Sequence, residues 1–178
     1  DKGSVKWRTR LSSLVATAPL VAGERVFVMG VDRAVQAYDV VDGRYLWDLR
    51  RAGEPLTLSQ PGVVAAFKDT LLVGQGQRLA GIDPLKGSVR WEVAIANPRG
   101  TNEVERVADL VGPAARAGDV VCARAFQSAV GCANAQTGTL LWTKNTGGAQ
   151  AIGADAELVA SADGSGRITA WRAATGDL

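Results

Sequence analysis

Short apolar runs rich in Val and Ala, each closed by Gly, Asp or Asn, alternate with polar turns along the chain. Runs of that length between turn residues read as β-strands. No segment holds a 3.6-residue apolar period over ten or more residues, as an amphipathic helix requires. The pattern predicts strands near 18–22, 25–30, 34–39 and 44–49, then near 62–67, 70–74, 78–83 and 88–94. It continues with 112–116, 120–125, 129–133 and 139–144, and finishes with 149–154, 158–162 and 167–171. Asp32-Arg33 and Asp163-Gly164-Ser165-Gly166 mark two of the hairpin turns.

The strands come in sets because one short frame recurs. A Gly is followed four residues later by Trp at Gly3/Trp7, Gly43/Trp47, Gly87/Trp91 and Gly138/Trp142, and Gly176 begins a fifth copy. Four residues before the middle three glycines stand Asp39, Asp83 and Asn134. The Asx side chain accepts backbone N–H bonds two or three residues on, and the Gly adopts a positive φ. The Trp then opens an outer strand and offers a large apolar ring to the next set, with an N–H that needs an acceptor. The glycines are spaced 40, 44, 51 and 38 residues apart. A strand-rich repeat of about 40–45 residues is the signature of a β-propeller, one four-stranded antiparallel blade per repeat.

The expected fold is therefore all-β. One partial propeller domain spans 1–178, with an outer strand of a preceding blade at 1–7 and blades at 8–49, 50–94 and 95–144. An incomplete blade lies at 145–178. Lys2–Trp7 could complete that last blade and close a ring of four. The preferred reading is an arc of a larger ring whose open faces invite head-to-tail self-association.

Composition narrows the chemistry. The chain has no His, which excludes a Ser-His-Asp triad, a Cys-His pair and most zinc sites. Its formal net charge is +2 and no Lys/Arg block occurs, so nothing pulls it toward nucleic acid or anionic lipid. No apolar run approaches the ~18 residues of a membrane-spanning helix. No signal-peptide pattern is present either, so any targeting segment is expected to have been removed or to lie outside this sequence.

Cys122 and Cys132 fall in one predicted hairpin. A three-residue connection at Phe126-Gln127-Ser128 places 125 opposite 129, and hence 122 opposite 132. Opposed Cα atoms about 4.5–5.5 Å apart are within disulfide range. A disulfide and two small buried thiols both satisfy this placement.

The longer repeats carry their extra residues at 51–61 and 95–112, both connections from an outer strand to the next inner strand. In an up-and-down blade those connections share a face with the hairpins between second and third strands. Insertions gathered on one face mark a binding side. The first connection holds Leu56-Thr57-Leu58 and the second the charged run Thr101–Asp109, where Val104 and Val107 stand in helical register. Leu56 and Leu58 are candidate apolar anchors, with Arg106 and Asp109 as orienting charges.

Asp-x-x-x-Gly-x-x-x-Trp blades resemble the quinoprotein-like propellers, and Asn102-Glu103-Val104-Glu105-Arg106-Val107-Ala108-Asp109 is similar to the BamB family of the outer-membrane β-barrel assembly machinery. The resemblance covers essentially the whole chain. It implies an eight-bladed ring, of which about four blades are present, tethered by a lipid anchor at the periplasmic face of the outer membrane. It implies no catalysis, cofactor or metal, and binding to the POTRA domains of BamA, with unfolded outer-membrane proteins as further partners. An oxidising periplasm would permit the Cys122–Cys132 bridge. The family's contact comprises a Leu-x-Leu-Arg loop and an Asp-x-Asp segment. Leu56, Leu58 and Asp109 match it, whereas Ser59 replaces the Arg and Val111 the second Asp. Gln60, Arg50 and Arg51 are candidates to compensate for the missing guanidinium. The alternative within the superfamily is a quinone (PQQ)-dependent dehydrogenase. Its vicinal Cys-Cys pair and carboxylate-rich calcium site are not visible in these residues. A cytosolic WD-type scaffold would need the Gly-His signature that a chain without His lacks.

Overall fold

The computed structural model describes residues 2–51, 57–97, 102, 107–149 and 152–178. Among the described residues, fifteen strands form four sheets. β1 (Leu20–Ala22), β2 (Arg25–Met29), β3 (Val35–Asp39) and β4 (Tyr45–Leu49) make blade one. β5 (Val64–Phe67), β6 (Thr70–Gln75), β7 (Arg78–Ile82) and β8 (Val89–Ala94) make blade two. β9 (Leu110–Ala117), β10 (Val120–Ala125), β11 (Ala129–Asn134) and β12 (Leu140–Asn145) make blade three. β13 (Gly153–Ala154), β14 (Leu158–Ala162) and β15 (Ile168–Arg172) form a three-stranded sheet. Within each sheet the strands pair antiparallel in chain order, as an up-and-down blade requires. The fold is a β-propeller, built as the repeat predicts.

Blades stack face to face, so their middle strands are buried on both sides and read as unbroken apolar runs. Phe27, Met29, Val35 and Ala37 of blade one meet Leu71, Val73, Ala80 and Ile82 of blade two in one core. Leu72 and Leu79 meet Val121, Ala123 and Ala129 in a second, and Val130 and Cys132 meet Val159 and Trp171 in a third.

The repeated frame sets the spacing between sheets. Gly43, Gly87, Gly138 and Gly176 have φ of 72°, 72°, 73° and 74°, and each receives the indole of the preceding repeat. A Cβ on Gly87 would lie 2.6 Å from Cε3 of Trp47, so the ring occupies the space a side chain would need. Asp83 Oδ1 closes the turn by accepting the Leu85 and Lys86 N–H groups. Asn134 Oδ1 does the same for Gln136 and Thr137. One residue bulges out of the pairing between third and outer strands at the same phase of blades one, two and three, just before each Trp.

Residues 2–7 differ from expectation. Gly3 has the left-handed φ of its counterparts (67°) and Trp7 covers Gly43, yet no strand forms there. A strand needs a neighbour for its N–H and C=O groups, and among the described residues none lies beside this segment. Nor does it pair with β15, so it does not close a ring of four. Leu11 and Trp7 pack instead on Val26, Val28 and Tyr38, on the open face of blade one. The hairpin at Phe126–Ser128 has the expected register, with Ala125 opposite Ala129 and Cys122 opposite Cys132. The two cysteines are joined in a disulfide with Cα atoms 4.0 Å apart.

Candidate partner-binding site

The second-to-third-strand hairpins and the connections between blades lie on one face, and a buried charge pair joins them. Arg33 sits in the β2–β3 hairpin at φ 60°, where Gly30 N–H bonds the Ala34 carbonyl. Its guanidinium is driven inward, 5% of the residue remaining exposed. Nη2 donates to Oδ2 of Asp109 at 3.1 Å and to the Leu58 carbonyl at 3.0 Å, and Nη1 donates to the Gln60 carbonyl at 3.3 Å. Gln75, from the strand leading to the next hairpin, donates through Nε2 to the Arg33 carbonyl at 2.9 Å. Asp109 is equally buried and its Oδ2 also accepts the Leu58 N–H at 2.8 Å. One carboxylate oxygen thus fixes the backbone of the first long connection from the last residue before β9. Thr57 Oγ1 completes the anchorage by donating to the Val31 carbonyl at 3.0 Å.

Below this, Gly62 and Gly112 let two backbones touch. A Cβ on Gly112 would collide with the Gly62 carbonyl, and Gly112 N–H bonds the Pro61 carbonyl at 2.8 Å. The two connections are therefore seated on one another before any side chain reaches outward. Thr57 and Ser59 are exposed and Leu58 is half-buried. Among the described residues, this rim presents the Thr57 and Ser59 hydroxyls beside the Leu58 side chain.

The structure brings Leu58, Ser59 and Asp109 together, but Asp109 faces inward against Arg33 rather than standing at the rim. Leu56, Arg106 and Val104 lie outside the described residues, as does most of the charged run at 101–109. Val111, in place of the family's second Asp, is buried in β9 opposite Arg124. Of the arginines considered for the role left vacant by Ser59, Arg50 pairs with Asp48 and Arg51 with Glu92. The guanidinium beside the Leu58 loop comes instead from Arg33, 26 residues upstream of Ser59. Sequence reasoning missed Arg33 because it read the Asp32-Arg33 pair only as a turn.

A second inward arginine occupies the next-but-one blade. Arg124 in β10 is fully buried and donates to the carbonyls of Thr146 at 3.1 Å, Gly147 at 3.2 Å and Ala162 at 3.4 Å. Burial pushes its pKa down from the usual arginine value, and the charge of Asp163 opposes that. Like Arg33, it ties the connection leaving its blade to the wall of the ring. Among the described residues no group of three His, Cys, Asp or Glu side chains converges as a metal site would require.

A family model described as outer membrane protein assembly factor BamB matches residues 1–178. The chain belongs to the BamB family. It is 30% identical over 179 residues to BamB of Bordetella pertussis, covering 99% of this chain and 46% of that relative. To BamB of Burkholderia pseudomallei it is 29% identical, covering 98% and 46%. The chain spans about half the length of the curated relatives it matches. BamB from Moraxella catarrhalis superposes with a TM-score of 0.88 at 18% identity, over 98% of this chain and 54% of that one. A quinohemoprotein alcohol dehydrogenase from Pseudomonas putida superposes at 0.73 with 18% identity, over 98% and 35%. At such identity both likenesses show the propeller fold alone. The BamB relatives are named as assembly factors for outer membrane proteins.

Proposed function

We propose that this chain is an arc of a non-catalytic scaffold at the periplasmic face of the outer membrane, held there in the whole protein by a lipid anchor. In this reading it grips the POTRA domains of BamA through the face that carries Leu58, and so assists assembly of outer-membrane proteins. The observation behind the reading is the single oxygen Asp109 Oδ2, which accepts from both Leu58 N–H and Arg33 and seats the two lengthened connections together. A loop whose backbone is tied down presents its side chains without an ordering cost on binding. Leu56 and Leu58 would be the anchors, Ser59 and Arg106 their polar surround, and Asp109 the internal support.

The reading is tested by titrating purified POTRA domains into the full-length protein in a calorimeter. Leu58→Ala should weaken binding by about 1–2 kcal/mol, roughly five- to thirtyfold. Affinity equal to that of the unaltered protein would end the proposal for this face. The propeller likeness to quinohemoprotein dehydrogenases supports no catalytic reading without a site to go with it. Titration with the quinone and calcium, followed by absorbance, separates the two.

A further inference from the structure

The segment that enters blade one has the same place in its repeat as the two lengthened connections have in theirs. Two-residue turns put Ala22 opposite Arg25, Phe67 opposite Thr70, and Ala117 opposite Val120, which brings the three repeats into register. Five residues before Ala22, Phe67 and Ala117 stand Thr17, Gly62 and Gly112. These three do stack. Gly62 N–H donates to Thr17 Oγ1 at 2.8 Å, and a Cβ on Gly112 would strike the Gly62 carbonyl. Three residues further back stand Leu14, Ser59 and Asp109. The hairpins of blades one and three agree, since Val31 N–H donates to the Leu14 carbonyl at 2.8 Å and Phe126 N–H to the Asp109 carbonyl at 2.9 Å.

Asp109 turns inward because Arg33 offers it a guanidinium. An isobutyl group has no use for that partner. Ser13 packs on Gly30, and Leu14 stands outward with 81% of its surface exposed. Ser59 is exposed with blade one beside it, so the position stays open when a preceding blade is in place. Val31 joins this side chain to the Leu58 face. Its N–H holds the Leu14 carbonyl, and its own carbonyl accepts Thr57 Oγ1 at 3.0 Å. The surroundings also carry a sign. Residues 2–23 include Lys2, Lys6, Arg8 and Arg10 and no Asp or Glu. All four cations are exposed, and among the described residues none of them enters an ion pair. Glu92 and Thr143, at the phase of Arg8, are exposed although a preceding blade flanks each, so this part of the outer wall faces solvent. An exposed leucine beside unpaired cations fits an apolar pocket rimmed by carboxylates.

We propose that the segment 11–17 is a third part of the partner-binding face. Leu14 is its apolar anchor, and Arg8 and Arg10 steer an acidic rim of the partner toward it. The occupant is the same POTRA surface that Leu58 holds, so this inference rests on the reading above and extends that face across blade one. Leu14 supplies apolar contact at the phase where Ser59 and the inward-facing Asp109 supply none.

The experiment titrates purified POTRA domains into full-length protein carrying changes at position 14. Leu14→Ala should weaken binding about five- to thirtyfold. Leu14→Glu should bind about tenfold more weakly than Leu14→Lys, because only the glutamate meets carboxylates with like charge. Arg8→Gln with Arg10→Gln should flatten the fall of affinity with added salt. Leu85→Ala, an exposed leucine on the opposite side of the disc, should bind like the unaltered protein. Full affinity in Leu14→Ala and Leu14→Glu, with Leu58→Ala impaired, would overturn this inference and leave the Leu58 face standing. Loss at Leu14 with full affinity in Leu58→Ala would keep Leu14 as an anchor and remove Leu58. Full affinity in all of these variants would end both, and equal loss in Leu14→Glu and Leu14→Lys would overturn the acidic rim.

Discussion

Of the four indoles at the repeat phase, three donate to a carbonyl of the following repeat: Trp7 to Val40, Trp47 to Pro84 and Trp142 to Ala173. Trp91 is the exception, its Nε1 buried without an acceptor among the described residues. The cause is its cross-strand neighbour. Trp47 faces Ala37 and Trp142 faces Cys132, whereas Trp91 faces Gly81, and a Cβ there would collide with its pyrrole edge. The ring therefore sinks onto the neighbouring strand, β7. Trp47→Phe removes a hydrogen bond and strands a carbonyl, while Trp91→Phe removes none. Chemical denaturation should show the first variant losing about 1 kcal/mol more than the second. Turn carboxylates supply a pH dependence. Asp83 is held below its ordinary value of 3.8 first by the Leu85 N–H, Asp155 first by the Leu158 N–H, and Asp163 first by the Ser165 hydroxyl. A carboxylate lowered in the folded state protonates later there than in the unfolded chain, so acid favours unfolding. Melting temperature should be level from neutral pH down to about 5, then fall as pH drops below about 4. Asp83→Asn should soften that fall, since Asn134 holds the same two turn bonds at the same phase without titrating.

At the level of elements, the β10–β11 hairpin is stapled by the Cys122–Cys132 disulfide across a ten-residue separation. A loop of that size limits the unfolded chain by about 2–3 kcal/mol. Cys122→Ala with Cys132→Ala should lower the denaturation free energy by about that much, and adding a reductant to the double variant should change nothing further. Strand positions were legible because Val- and Ala-rich runs end at Gly and Asx residues whose turn chemistry is local. Pairing across Phe126–Ser128 was legible for the same reason, the loop length fixing the register. The inward arginines were not. Arg33 follows a turn Asp and reads as surface, and its carboxylate partner is 76 residues away. Arg124 left a signal that could have been used, a lone charge between Ala123 and Ala125 in an otherwise apolar strand. The strand expected over residues 1–7 does not form at the described positions 2–7, because phase alone predicts where a strand would fall, whereas pairing requires a neighbour.

In the molecule as a whole, long-range polar contacts gather near the face that carries the long connections. Arg33 and Asp109 have side chains only 6% and 7% exposed. Breaking such a pair by removing one member strands the other in low dielectric. Asp109→Ala should therefore destabilise the chain by about 3–5 kcal/mol in urea unfolding, and Arg33→Met in the same protein should recover much of that loss. The pair reaches across blade boundaries, since Arg33 belongs to blade one, Leu58 to the span leading into blade two, and Asp109 to the residue preceding blade three. That oxygen acts as a keystone. Anything that holds the Leu58 strap from outside also resists splaying of three successive sheets, and by reciprocity a stiffer arc holds its guest more firmly.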